Sequence, residues 1–152
     1  MISIEKLKNT VKSLNTIIIV MECFHIIGGL LSAFGYYINK INLENGTFER
    51  GGLTAEQIEA VRRATTPWVL VNSLIFLVFG IIILILAIKN NRALKNKEDL
   101  SYLPYYLGGI LIALYIVSLF IVFNIISLIA LAVYSALYVG TYLQAKKLNI
   151  NR

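Results

Sequence analysis

Glu22, Cys23 and His25 lie close together inside a stretch of chain that is otherwise oil-like, and their side chains are the ones equipped to do chemistry. Tyrosines and Cys23 aside, Glu22 and His25 are the only ionisable residues within any of the long apolar runs. Positions i and i+3 share a helix face, so the acid and the imidazole can meet. An acid at the middle of a membrane helix costs roughly 2.5–3.5 kcal/mol by insertion scales, which is why such groups turn inward and pair. Their face continues through Gly29, Ser32 and Tyr36, and backwards to Asn15. A stripe that is small or polar along its whole length belongs against other helices. Two chemistries fit it: a proton-responsive or ion-binding site, or a polar clamp that sets helix register.

Other chemistries find less support. Glu-x-x-His is half of a di-iron bundle motif, but that centre needs a second copy and two further carboxylates. No other span carries an acid and the chain has a single histidine, so no metal and no cofactor is expected. Cys23 and His25 stand at i and i+2, whose side chains diverge on a helix, so a cysteine nucleophile is not expected either. No glycine-rich phosphate loop occurs. The expectation is a protein without catalytic residues, not an enzyme.

The elements that position Glu22 follow from composition. Of 152 residues, 58% are hydrophobic and 14% charged, with a mean hydropathy of +0.75. Soluble domains average about 45–50% apolar and about 25% charged, so a soluble enzyme, a disordered chain and a disulfide-stapled fold are all excluded. The net charge of +6 is scattered between apolar runs rather than gathered along a groove, which argues against nucleic acid and for membrane-flanking charge.

Helices that cross about 30 Å of hydrocarbon need about 20 residues. The reading is an all-α integral membrane protein, a four-helix bundle: an amphipathic helix at 1–15, spans at 16–38 and 67–88 separated by an outer loop at 39–66, a basic inner loop at 89–101, spans at 102–123 and 125–143, and a tail at 144–152. The last apolar stretch would reach roughly 63 Å as a single helix, so it must turn back, with its apex at Phe123–Ser127. Ten lysines and arginines flank one side, in the N-terminal segment, the 89–101 loop and the tail; Lys40, Arg50, Arg62 and Arg63 flank the other. That bias predicts a multi-pass cell-membrane protein with both termini cytoplasmic. Tyr36, Tyr37 and Trp68 at the outer ends, and Tyr102, Tyr105, Tyr106 and Tyr142 at the inner ends, fit headgroup depth.

Outside the spans, Ile4, Leu7, Val11 and Leu14 form an apolar stripe beside Lys6, Lys8 and Lys12. It suits either a surface helix drawn to anionic lipid at the inner face or one packed on its own bundle. In the outer loop, Thr54 and Gln57 form a capping box and Leu53 with Ile58 a hydrophobic staple, which predicts a helix over 55–65. Thr66 and Pro67 read as N-cap and first residue of the second span.

Depth supplies Glu22 with partners. It lies about five residues inward of its span's centre, or roughly 7 Å. Tyr138 lies at nearly that depth on the fourth span and Tyr106 slightly deeper on the third, so Glu22, His25, Tyr138 and Tyr106 are the expected intramembrane polar cluster. Small residues spaced by four (Gly29 and Ala33, Gly109 and Ala113, Ala132, Ala136 and Gly140) are the expected helix-packing positions. Asn72, Ser73 and Tyr115 need internal hydrogen-bond partners.

Four spans with an outer first loop also mark tetraspanins and claudins, but the loop cysteines of both families are missing. The acid followed by a glycine pair (Glu22, Gly28, Gly29), the basic inner connection and the run Leu107-Gly108-Gly109-Ile110-Leu111 resemble small four-span membrane proteins of low-GC Gram-positive bacteria that have no assigned function. Some bacteriocin and toxin immunity proteins share this size and build. The resemblance implies the fold. The function expected is a non-enzymatic interaction or accessory protein, with an immunity role against a membrane-active toxin as one form of it, whose partners are the bilayer and another membrane protein or further copies of the chain. The alternative is an oligomeric transporter or channel subunit in which Glu22 and His25 handle protons or cations.

Overall fold

A computed structural model describes residues 3–121 and 125–151 of the chain. Every element among them is helical: α1 (Ile4–Glu44), α2 (Thr47–Arg50), α3 (Ala55–Ala64), α4 (Pro67–Asn96), α5 (Leu103–Ile121) and α6 (Ile125–Ile150). Four of these, α1, α4, α5 and α6, are long and apolar enough to cross a membrane. The chain is a membrane protein with four candidate spans.

The helices run further than their apolar stretches. Residues 1–15 and the first span are not separate elements, because α1 is unbroken from Ile4 past Ile38 to Glu44. It meets no proline, and it stops only at Gly46, whose φ of 63° is left-handed and costs glycine nothing. The second span continues through most of the basic inner loop, since Ala87, Asn90 and Leu94 carry its buried stripe onward. It ends at Lys97, left-handed with φ 61°. Glu98 N–H then bonds the Ala93 carbonyl at 3.0 Å, the bond that closes a Schellman turn. Likewise residues 144–150 of the expected tail are the end of α6, with Ala145 and Leu148 buried.

In the 39–66 segment, α2 is a helical turn that composition had hidden behind its glycines. Gly52 (φ 81°) closes it, with Leu53 N–H on the Phe48 carbonyl. Thr54 caps α3 by accepting from Gln57 N at 3.3 Å while its own N–H donates to Gln57 Oε1 at 2.9 Å. Pro67 opens α4. Of the apex expected at Phe123–Ser127, residues 123 and 124 lie outside the described residues, and Ile125 already begins α6. The fold-back itself is plain: Tyr106 meets Tyr142, Gly108 meets Tyr138 and Tyr115 meets Tyr134, the antiparallel order of a hairpin.

The chain divides into two compact units, Met1–Cys23 with Phe79–Arg152, and Phe24–Val78. In the first, three of the helices bury a stripe spaced by three or four residues. Leu7, Val11, Asn15, Ile18 and Glu22 form it on α1, Ile83, Ala87, Asn90 and Leu94 on α4, and Tyr138, Thr141, Ala145 and Leu148 on α6. That spacing is the seam of closely packed helices. Leu7 and Val11 therefore spend their apolar surface on packing, whereas Lys6 and Lys12 stay exposed. In the second unit α1 and α4 pack directly on each other, and α3 buries Ile58. Large apolar side chains such as Phe24, Leu31, Phe34 and Phe120 point outward, as they must where the solvent is acyl chain.

Candidate functional site

Glu22 has no exposed surface, and its carboxyl oxygen Oε1 accepts a hydrogen bond from the Tyr138 hydroxyl. Three helices make that bond. α1 turns Glu22 inward on the stripe that includes Asn15 and Ile18. α6 presents Tyr138, itself buried. α5 supplies the space: a Cβ on Gly108 would overlap the Cγ, Cδ1 and Cε1 atoms of the Tyr138 ring. No residue but glycine lets the phenol reach the acid there.

The ring of Tyr134 stacks on Tyr138 at 6.2 Å and 17° between planes, and Tyr115 lies 5.6 Å from Tyr134. Glu22 thus sits at one end of a tyrosine ladder. In the same unit Ile18, Ile83 and Leu111 are fully buried. The arrangement holds a carboxyl in a hydrogen-bonded, water-excluded setting.

Two turns along α1 lies a second polar layer. Tyr105 Oη donates to Asn15 Oδ1 at 2.8 Å and accepts from Asn90 Nδ2 at 3.2 Å. The Asn90 amide also pairs with the backbone of Ser101, accepting from its N–H at 3.0 Å and donating to its carbonyl at 2.8 Å. Asn15 Nδ2 is buried with no hydrogen-bond partner among the described residues. Below this layer, Asn149 near the end of α6 does to Leu100 what Asn90 does to Ser101: N–H to Oδ1 at 3.1 Å, Nδ2 to carbonyl at 3.0 Å. Side-chain amides replace the missing helical bonds of the α4–α5 connection.

Of the expected cluster, the structure joins Glu22 and Tyr138. Tyr106 does not belong to it: it is 56% exposed and packs on Tyr142. Depth alone cannot tell which side of a helix a residue occupies, and Tyr106 is on the outer side of α5. His25 lies in the second unit, its ring 5.2 Å from Phe76. There the stripe continues with Ser32 Oγ 2.8 Å from Ser73 Oγ, and Gly29 is buried against Leu77 and the Ser73 carbonyl. Asn72 Oδ1, by contrast, is buried with no partner among the described residues.

The small residues divide. Gly29 does admit α4, and Ala33, four residues further along α1, is half-buried. Gly109, Ala113, Ala132 and Ala136 face outward, and a Cβ on Gly109 or Gly140 would meet nothing within 4 Å. They are not internal packing positions. The close approach within this unit is made by Gly108, one residue from the glycine the four-residue spacing selects. Sequence spacing missed Gly108 and the Asn15–Tyr105–Asn90 layer; the seven-residue step from Asn15 to Glu22 was the available signal. Among the described residues no three histidine, cysteine, aspartate or glutamate side chains gather as metal ligands. The chain matches no protein-family model, no curated protein and no solved structure.

Proposed function

We propose that this chain is a cell-membrane protein with both termini cytoplasmic, acting as a non-enzymatic interaction or accessory subunit of the immunity type, with Glu22 and Tyr138 as an internal clamp. The observation that carries the reading is the sealing of Glu22. An acid that moves ions must at some stage meet water, whereas this one has no exposed surface and is closed over by a phenol seated against a glycine backbone. The outward faces support the same reading. Gly109, Ala113, Ala132 and Ala136 lie exposed on α5 and α6, where small side chains let a helix of a partner, or of a second copy, come close. Exposed Lys6 and Lys12 suit anionic headgroups at the inner surface.

The test is flux against association. Purified protein in liposomes should pass neither protons nor potassium, with Glu22→Gln indistinguishable from wild type. Cysteines placed at Ala132 or Ala136 should cross-link in native membranes to a defined partner or to each other, and Ala132→Leu/Ala136→Leu should abolish that cross-link without lowering the melting temperature. Flux that vanishes in Glu22→Gln would instead establish the transporter reading.

A further inference from the structure

Within the Phe24–Val78 unit, the end of α1 and the connection into α4 border an open recess of about 350 Å³. Lys40 and Glu44 line it from α1, Arg62 and Thr65 from the end of α3 and just beyond, Pro67 from the start of α4, and the buried Tyr36 also contributes to its wall. Clefts of roughly 300–1,000 Å³ are the size that small ligands and headgroups occupy.

Two cations face one carboxylate, so the lining is net positive. Neither cation is firmly engaged. Lys40 Nζ stands 3.9 Å from Glu44 Oε1 and Arg62 Nε 3.7 Å from Glu59 Oε2, both with half or more of the side chain in solvent. Such pairs along one helix contribute little and yield to a stronger acceptor. The positive end of the α4 dipole opens at Pro67. A phosphate is the anion best matched to an ammonium and a guanidinium set together.

The recess also has a depth. On α1 it begins where the apolar run ends, beside Tyr37 and Ile38; on α4 the apolar run begins at Trp68, immediately after Pro67. Tyr37, Ile41, Trp68 and Val71 are exposed apolar surface at that level. Amphipathic aromatics mark the headgroup layer.

We propose that this recess binds the phosphate of a phospholipid headgroup, held by Lys40 and Arg62, with the acyl chains lying along the exposed apolar residues of α1 and α4. A soluble phosphate offers the same chemistry, and the test separates the two. The proposal rests on the spans and not on the accessory role, so a failure of either leaves the other standing.

Delipidated protein in detergent is titrated with phosphatidylglycerol, with diacylglycerol, which lacks the phosphate, and with inorganic phosphate, and bound species are counted by native mass spectrometry. Wild type should retain one phosphatidylglycerol in preference to diacylglycerol. Lys40→Ala/Arg62→Ala should weaken that retention about tenfold, the loss of roughly one charge-assisted hydrogen bond. Arg50→Ala/Arg63→Ala removes the same charge from the same segment outside the recess and should leave retention unchanged. Binding of inorganic phosphate without phosphatidylglycerol would keep the phosphate site and overturn its lipid source. Equal retention by wild type and Lys40→Ala/Arg62→Ala, or equal loss in both double variants, would overturn the proposal. Because Lys40 and Arg62 project into solvent, melting temperatures should match throughout.

Discussion

The ring of Tyr138 occupies the space that a side chain at position 108 would need. Gly108→Ala must therefore push the phenol away from Glu22 or spread α5 from α6. Overpacking of this kind costs about 1–3 kcal/mol, and the loss of the Tyr138 bond adds to it. The adjacent Gly109→Ala meets nothing within 4 Å and gains helix propensity. Thermal melts in detergent should show a clear loss for position 108 and none for position 109.

The bond between Tyr138 and Glu22 should be visible as coupling. Tyr138→Phe takes the phenol's hydrogen bond from a buried carboxyl, which costs about 1–3 kcal/mol. Glu22→Leu removes the need for that donor, so the double variant should be nearer wild type than the sum of the singles. A double-mutant cycle measured by unfolding in detergent should give a coupling of about 1 kcal/mol or more, and strict additivity would refute the clamp.

The second layer behaves in the same way with a different signature. Tyr105→Phe strips Asn15 Oδ1 of its hydrogen bond while Asn15 Nδ2 already has none among the described residues. The single change should destabilise by about 1–3 kcal/mol, and adding Asn15→Leu should recover most of it by removing the stranded amide. Unfolding midpoints of the three proteins decide the matter.

Asn149 holds both backbone groups of Leu100. Asn149→Ala should leave the spans intact but speed amide exchange at Leu100, because that N–H loses its acceptor. Hydrogen-exchange mass spectrometry of the 97–102 segment, compared with residues 105–115 as an internal control, reads this directly.

Orientation has its own check. On a Cys23→Ser background, Thr47→Cys should react with an impermeant maleimide on intact cells, whereas Lys146→Cys should react only after permeabilisation. The reverse pattern would invert the proposed topology.

Hydropathy made the four spans legible because burial in lipid selects composition directly. Equal depth on two spans was enough to bring Tyr138 to Glu22, yet the same arithmetic chose Tyr106, which shares the level but not the side. Helix ends were hidden for a related reason. Residues 89–96 and 144–150 are rich in lysine and asparagine, which reads as loop, while their Asn90, Leu94, Ala145 and Leu148 keep a buried stripe that only a tertiary partner reveals. The choice between Gly108 and Gly109 turns on a rotation of about 100° about the helix axis, and no local signal reports it.

The two serines that touch between α1 and α4 are not equivalent. Ser73 Oγ is also 2.7 Å from the Val69 carbonyl, which only accepts, so the single Ser73 hydrogen is drawn back along its own helix. Ser32 must then supply the proton that spans the 2.8 Å gap. The contact has an arrow, running from Ser32 through Ser73 to Val69, and each link polarises the next. Removing the tail hydroxyl at Ser32 leaves the rest of the relay satisfied. Removing the middle one at Ser73 takes the acceptor away from the Ser32 hydroxyl, while the Val69 carbonyl keeps its helical bond from the Ser73 N–H.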